Sequence, residues 1–327
     1  MTFEMLKNRP FLPLASERLL LRPIHKNDAK ALAKLANNHN VSKTLARMPY
    51  PYSLQDAHDF IERKVREMKD GSPTLVLSIL NRTSHEFLGI ISYENGTLGY
   101  WLGEPFWGQG FMKEAFQSFI HFLFDFCEIP EFEISAMPLN TASVRIIEGG
   151  GCLPTFQKEL YSNATQSAHL GQYYALTREN YWARYCAKDV PVVWVVAAAI
   201  LKDQKLLVAE RPQGKSMAGV WELPGGKIES GETPEAALAR ELHEELGIEV
   251  HHEDLKPLTF ASYRYPKFHL VMPFFTLTTW RGDLHGKEGQ NLAWISYSDL
   301  ENIPTPAADI ALFHKLGAVM KNQGLWG

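Results

Sequence analysis

Gly226-Lys-Ile-Glu-Ser-Gly-Glu232-Thr-Pro-Glu-Ala-Ala-Leu-Ala-Arg240-Glu241-Leu-His-Glu244-Glu245-Leu-Gly247-Ile248 is the stretch that decides the fold of the chain's last third. A glycine turn opens it. A carboxylate-rich segment with helical spacing follows and ends at a second glycine. Thr233-Pro234 supplies a helix start, with proline in the first turn, where its missing N–H leaves no carbonyl unpaired. Ala237, Leu238, Leu242 and Leu246 recur at helical spacing and form the stripe expected to be buried. Glu241, Glu244 and Glu245 then crowd one face, three and four positions apart.

Like-charge pairs at such spacing on an ordinary solvated helix cost only roughly 0.2–0.5 kcal/mol each, so three glutamates alone would not mark a site. Bridged by a cation, the same carboxylates become a hard oxygen-donor set of the kind that holds Mg²⁺ beside substrate phosphates. The whole string favours the second reading, because it resembles the Nudix box, G-x5-E-x7-R-E-U-x-E-E-x-G-U, at every position. Leu242 and Ile248 fill the aliphatic U positions.

The chain has 327 residues, long for one domain and comfortable for two. Its hydrophobic fraction of 45% and charged fraction of 21% are those of a globular protein. A net charge of −4 argues against a general polyanion-coating role, so no direct nucleic-acid binding is expected. Cys127, Cys152 and Cys186 show no C-x-x-C spacing and read as reduced, buried thiols of a cytoplasmic protein. The start lacks a basic segment followed by an apolar core, and the most apolar run, Val192 to Leu201, is too short to span a bilayer. No membrane partner is expected.

Upstream of the box the pattern is unrelated to it. Glu17 to Pro23, Leu75 to Leu80, Phe87 to Tyr93 and Thr97 to Leu102 read as strands, as do Phe132–Ala136 and Tyr173–Leu176. Asp28 to Ala36, a serine-capped segment after Ser53, and Phe111 to Phe126 read as helices. The alternation restarts with strands at Val192–Ile200 and Lys205–Ala209. Glu179 to Asp189 contains no Gly/Ser/Pro-rich tether, so a short join is expected, with one domain over residues 1–185 and the next over 186–327.

Beyond the box, the resemblance spans roughly Val190 to Leu325 and is to the MutT type of Nudix hydrolase. Trp221 to Glu229 matches the approach to the box, and Gly286-Lys-Glu-Gly-Gln290 with Ala293-Trp294 matches a later loop and strand. That resemblance implies an α/β/α sandwich that removes pyrophosphate from oxidised purine nucleoside triphosphates such as 8-oxo-dGTP, the alternative substrate being another nucleotide: a nucleoside diphosphate–sugar, ADP-ribose or CTP. It implies that Glu241, Glu244 and Glu245 bind Mg²⁺ or Mn²⁺ with the Gly226 carbonyl, and that Glu288 is a further ligand or general base. Arg240 would pair with Glu232 and hold the loop against the helix. Leu223 and Gly225 would lie along the substrate, and Gly225-Gly226 would let the backbone approach a metal–phosphate complex. Arg211 is either a surface arginine or a contact to phosphate or purine. His269 is expected to fill a strand position rather than bind metal. Ala308-Asp309 stands where the group often carries a base-reading asparagine, and Asp309 could accept from purine N–H groups.

In the first half, Gly103-Glu-Pro-Phe-Trp107-Gly108-Gln109-Gly110-Phe111-Met112 lies between a strand and a helix, where consecutive N–H groups can face a pyrophosphate. In context it resembles the Q/R-x-x-G-x-G/A loop of GNAT acetyltransferases, with Pro105 at the usual Gln/Arg. Asn140 to Gly151 resembles the next GNAT segment, an asparagine-capped helix. Glu17 to Arg22 and Tyr173 to Glu179 also fit. The implied fold is a mixed sheet flanked by helices, so the whole chain is α/β with two domains. The implied cofactor is acetyl-CoA, held by Trp107, Gly108, Gln109, Gly110, Phe111, Met112 and Asn140. The implied acceptor is an amine or a protein N-terminus. Ser143 is either a capping residue or a proton donor to the departing thiolate. The Pro105 departure leaves open a module that senses acyl-CoA without transferring acetyl.

Overall fold

Apolar runs buried on both faces build the first sheet, and the helices between them cover it. The computed structural model describes residues 13–185, 190–212, 218–264, 268–306, 313, 316–317, 319–322 and 324–326. The chain divides into two units, Met1–Arg184 and Tyr185–Gly327.

In the first unit the strands are β1 (Leu14–Ala15), β2 (Leu19–Pro23), β3 (Thr74–Asn81), β4 (Phe87–Glu94), β5 (Thr97–Leu102), β6 (Glu131–Ala136), β7 (Leu153–Ser162) and β8 (Ser167–Thr177). They pair in the order β1-β2-β3-β4-β5-β6-β8-β7. Each pairing is antiparallel except β5–β6, which is parallel and touches only at Thr97↔Glu133. Beyond that pair β5 and β6 diverge, so the end of β5 carries backbone groups that no ladder consumes. The helices are α1 (Ala29–Ala36), α2 (His39–Ser42), α3 (Leu54–Asp70), α4 (Phe111–His121), α5 (Thr141–Gly149) and α6 (Arg178–Tyr185). Ser53 caps α3 by accepting from the Asp56 N–H, and the Asp56 carboxylate accepts from the Ser53 N–H in return.

Two elements depart from the sequence pattern. The helix expected over Phe111–Phe126 is α-helical only to His121, and Phe122–Phe126 widens into a π-turn. Phe122, Leu123, Phe124 and Phe126 are all buried there, with Phe122 stacked on Phe126 and Phe124 on Tyr181. Apolar residues on every side of one turn cannot share a single face, and the wider turn spreads them through the core. The second is β7, an edge strand whose first seven residues are exposed and which therefore carries no burial signal.

In the second unit β9 (Val192–Lys202) and β10 (Lys205–Glu210) form a hairpin whose turn residues, Asp203 and Gln204, both have positive φ. β14 (His269–Leu277) runs parallel to β9, and β13 (Lys256–Arg264) antiparallel to β14. β11 (Trp221–Glu222) and β15 (Leu292–Ile295) flank β10, and β12 (Gly225–Lys227) pairs with β9. The helix α7 (Pro234–Leu246) lies on this sheet. Its Ala237, Leu238, Leu242 and Leu246 are fully buried against Val196, Ala198, Ile200, Leu207, Phe275 and Leu277. Burying each leucine in this way contributes about 1.5–3 kcal/mol.

Both described cysteines, Cys127 and Cys152, are free and buried, and burial pushes the Cys152 thiol up to about 12. Cys186 lies outside the described residues. No helix among them is long and apolar enough to cross a membrane.

Candidate functional site

The carboxylates of the second unit are aimed by α7 and by the short strand β12 facing it. Thr233 caps the helix by accepting from the Ala236 N–H, and Gly247 ends it with φ 72°. With the leucine stripe fixed against the sheet, Glu241, Glu244 and Glu245 are left toward the loop that precedes the helix. Gly225 and Gly226 sit opposite Ala197 and Val196. A Cβ on Gly225, whose φ is 151°, would overlap the Val196 carbonyl. A Cβ on Gly226 would overlap the Glu241 carboxyl group. Glycine there makes room for a carboxylate hard against the backbone.

Arg240 organises the near side. Its Nε and Nη2 donate to the two Glu232 oxygens at 2.8 and 3.0 Å, a bidentate fork. The Arg240 hydrogen bonds, with one from the Glu229 N–H, hold the Glu232 carboxyl down at about 2. Nη2 also donates to the Lys227 carbonyl at 3.0 Å, and Nη1 to Glu241 at 2.9 Å and Glu244 at 3.2 Å. The guanidinium thereby ties the glycine loop to the helix.

Glu245 is different. It is turned inward and accepts from the Gly225 N–H at 3.2 Å. Burial, with the negative charges of Glu222, Glu241 and Glu288, pushes its carboxyl up to about 7 against the lowering effect of that N–H. Glu222, Leu223, Glu245, Glu288 and Gln290 line one small cleft together. Arg211 borders the adjoining one, where its Nε donates to Glu222 at 2.7 Å. Glu288 and Gln290 come from the loop after β14. The Glu288 N–H donates to the Gln290 amide oxygen at 2.8 Å, and the Gln290 amide nitrogen donates to the Glu245 carbonyl at 2.9 Å.

Among the described residues no group of three or more His, Cys, Asp or Glu side chains is set for a metal ion. Glu241 and Glu244 each give one oxygen to Arg240 Nη1. The donor chemistry nevertheless fits a hard divalent cation. All available ligands are oxygens, the glycine cradle is filled by a carboxylate, and three neighbouring charges raise the proton affinity of Glu245. His269 begins β14, and its Nε2 lies 2.7 Å from the Ser262 hydroxyl. Asp309 and Ala308 lie outside the described residues.

In the first unit the loop from Gly103 to Gly110 leads from β5 into α4. Gly110 has φ 79°, a left-handed conformation that turns the chain into the helix without a side-chain cap, leaving the first-turn N–H groups open. Trp107 Nε1 donates to the Leu102 carbonyl at 2.8 Å and the Gln109 amide to the Pro105 carbonyl at 2.9 Å, so these side chains brace the loop. Met112 is buried, and the Phe111 ring lies 4.6 Å under the Arg18 guanidinium. Arg18 donates to the Gln109 carbonyl and pairs with Glu114 at 2.7 Å, a clamp joining residues 96 positions apart that no local pattern reveals. Asn140 caps α5 by accepting from the Ser143 N–H, which leaves the Ser143 hydroxyl on the Tyr100 hydroxyl at 2.9 Å. Tyr100 sits on the diverging part of β5, and burial raises its phenol well above its ordinary range.

Comparison with known proteins assigns both units. Residues 18–152 match the acetyltransferase (GNAT) domain, and residues 192–316 match the NUDIX domain. The 8-oxo-dGTP diphosphatase of Escherichia coli is 37% identical over 123 residues, which are 37% of this chain and 94% of that protein. The CTP pyrophosphohydrolase of the same organism is 35% identical over 138 residues, 39% of this chain and 93% of that protein. An uncharacterized N-acetyltransferase, p20, of Bacillus licheniformis is 29% identical over 153 residues, 45% of this chain and 83% of that protein. With the glutamate helix, the glycine cradle and the second-unit match all in one place, the chain belongs to the Nudix hydrolases and carries an N-terminal GNAT acetyltransferase domain.

Proposed function

We propose that residues 186–327 hydrolyse purine nucleoside triphosphates of the 8-oxo-dGTP type to the monophosphate and pyrophosphate, in the cytoplasm and with Mg²⁺ or Mn²⁺. The observation that carries this reading is the convergence of Glu222, Glu245 and Glu288 with Leu223 and Gln290 in one cleft beside the glycine cradle. Glu241, Glu244, Glu245 and Glu288, with the Gly226 carbonyl, would hold the ion. When bound, the ion supplies charge to offset that developing on the phosphates and lowers the pKa of a water. The chain's own part is to aim and to move a proton. The Gly225 N–H orients Glu245, whose carboxylate would take a proton from attacking water. The water oxygen bonds to phosphorus, the bridging P–O bond breaks, and pyrophosphate leaves with those electrons. Arg240 ties Glu241 and Glu244 to the Lys227 carbonyl of the loop, and Arg211, which lines the adjoining cleft, would meet phosphate or base.

The test is a panel of 8-oxo-dGTP, dGTP, CTP and ADP-ribose with Mg²⁺. Release of monophosphate and pyrophosphate from 8-oxo-dGTP at the highest kcat/KM is the expected result. Silence on every member overturns the reading. The CTP pyrophosphohydrolase relative favours one alternative, CTP, and the same panel decides it.

For residues 1–185 the proposal is acetyl transfer from acetyl-CoA to an amine or protein N-terminus. The open N–H groups at the start of α4 would face the pyrophosphate, with Ser143 placed to protonate the departing thiolate. Calorimetry with acetyl-CoA and an acetylation assay on amines test it. Binding without turnover on any acceptor would instead make the domain an acyl-CoA sensor, the reading that Pro105 favours.

A further inference from the structure

The loop after β14 is held by the end of α7. The last carbonyls of a helix have no intrahelical donor. Here the His285 N–H donates to Leu246 at 3.1 Å, the Lys287 N–H to Glu245 at 2.9 Å, and Lys287 Nζ to His243 at 3.2 Å. Gln290 adds a contact of another kind. Its side chain is buried, its amide nitrogen donates to the Glu245 carbonyl, and its amide oxygen accepts from the Glu288 N–H. One amide thus spans the backbone of Glu245 and the backbone of Glu288. Gly286 is shaped to it, because a Cβ there would overlap the Gln290 carbonyl and press on the amide oxygen at 3.0 Å.

We propose that Gln290 is a positioning residue that sets Glu288 across the cleft from Glu245, so that the two carboxylates keep one spacing during turnover. The proposal rests on the hydrolase reading above for what those carboxylates do. Gln290 itself needs to touch neither nucleotide nor ion. Both of its bonds are to main chain, so its effect is on where Glu288 stands rather than on its charge.

Gln290→Met keeps the size of the side chain and removes both bonds, whereas Gln290→Glu keeps the acceptor for the Glu288 N–H and removes the donor to Glu245. For Gln290→Met, kcat on the triphosphate is expected to fall roughly tenfold or more with KM within about threefold, since sub-ångström misplacement acts on the chemical step. Amide exchange across Gly286–Gln290 should quicken by at least about tenfold, and calorimetric Mn²⁺ binding without nucleotide should weaken. Gln290→Glu should retain the exchange protection of Glu288 and lose less of kcat. Unchanged kcat and unchanged exchange in the Met variant overturn the proposal. So does a fall in Tm that accounts for the whole loss, with full activity per folded molecule. Should Gln290→Met not fold, Gln290→Glu decides by the same readouts. A wild-type chain that hydrolyses no nucleotide sinks the hydrolase reading alone, because exchange and Mn²⁺ binding still report whether Gln290 places the loop.

Discussion

The two loops that open onto helices in this chain are built on opposite polarities. Gly103–Gly110 delivers the chain into the N-terminus of α4, where open N–H groups and the favourable field suit an anion. Gly225–Gly226 faces side-chain carboxylates of α7, where oxygens suit a cation that in turn holds an anion. In the first loop, side chains such as Trp107 and Gln109 are turned back onto carbonyls and act as braces. In the second, the backbone withdraws so that side chains can act. Recognition by main chain tolerates changes of side chain, and recognition by side chain does not.

Replacements sharpen or break that contrast. The largest effect is expected from Glu245→Gln, which should lower kcat by roughly 10²-fold or more while the variant keeps the wild-type circular dichroism. A rate within about threefold of wild type would move the site elsewhere. Next, Gly226→Ala forces a methyl onto the Glu241 carboxyl, and a loss of roughly 10- to 100-fold in kcat/KM is expected, with about 1–3 kcal/mol of stability lost in urea unfolding. In the first unit, Gly110→Val demands φ near 79° of a β-branched residue and should weaken acetyl-CoA about tenfold by calorimetry. Gln109→Ala, its partner in the same experiment, should change Kd by less than about threefold. A larger effect for Gln109 than for Gly110 would mean that side chains read the cofactor after all.

The smallest effect on either activity is expected from Asp28, which belongs to neither loop. It is buried, bonded by Arg22 at 2.6 Å, by the His25 N–H and by Ser78. Burial alone would raise its carboxyl, but these partners outweigh it and leave it lowered. A lowered acid stabilises the fold above its unfolded value, near 3.9, and that contribution is lost as pH falls through the folded value. Asp28→Asn should therefore leave activity per folded molecule intact, lower Tm at neutral pH and flatten its further fall below about pH 4, read from Tm against pH.

The glutamate helix was legible because everything it needs is local. The cap Thr233, the leucine stripe, the glycine stop and the three carboxylates all follow from spacing within one stretch of chain. The first sheet was legible where strands are buried, as in β3 and β4. It was not legible at β7, whose residues are exposed and whose partner β8 alone gives it shape. Nor could spacing show that Arg18 clamps Glu114 across the sequence, or that Arg211 is paired with Glu222. The Gly286–Gln290 segment drew notice through Glu288, while the amide of Gln290 gains its meaning only when the end of α7 is folded beneath it.

That arrangement makes the length of the loop an invariant alongside the identity of Gly286, Glu288 and Gln290. From His285 to Gln290 the chain is pinned to two carbonyls of a rigid rod, Leu246 by the His285 N–H and Glu245 by the Lys287 N–H and the Gln290 amide, so the number of residues between those points is fixed. Side chains whose work is done by their own backbone can be exchanged freely. A single residue removed or inserted there slides Glu288 by a full peptide unit and leaves every local residue type intact. Descendants of this sequence should therefore keep the count from His285 to Gln290 as well as Gly286, Glu288 and Gln290 themselves. An alignment gap inside it would be as sure a sign of lost activity as the replacement of Glu288 or Gln290.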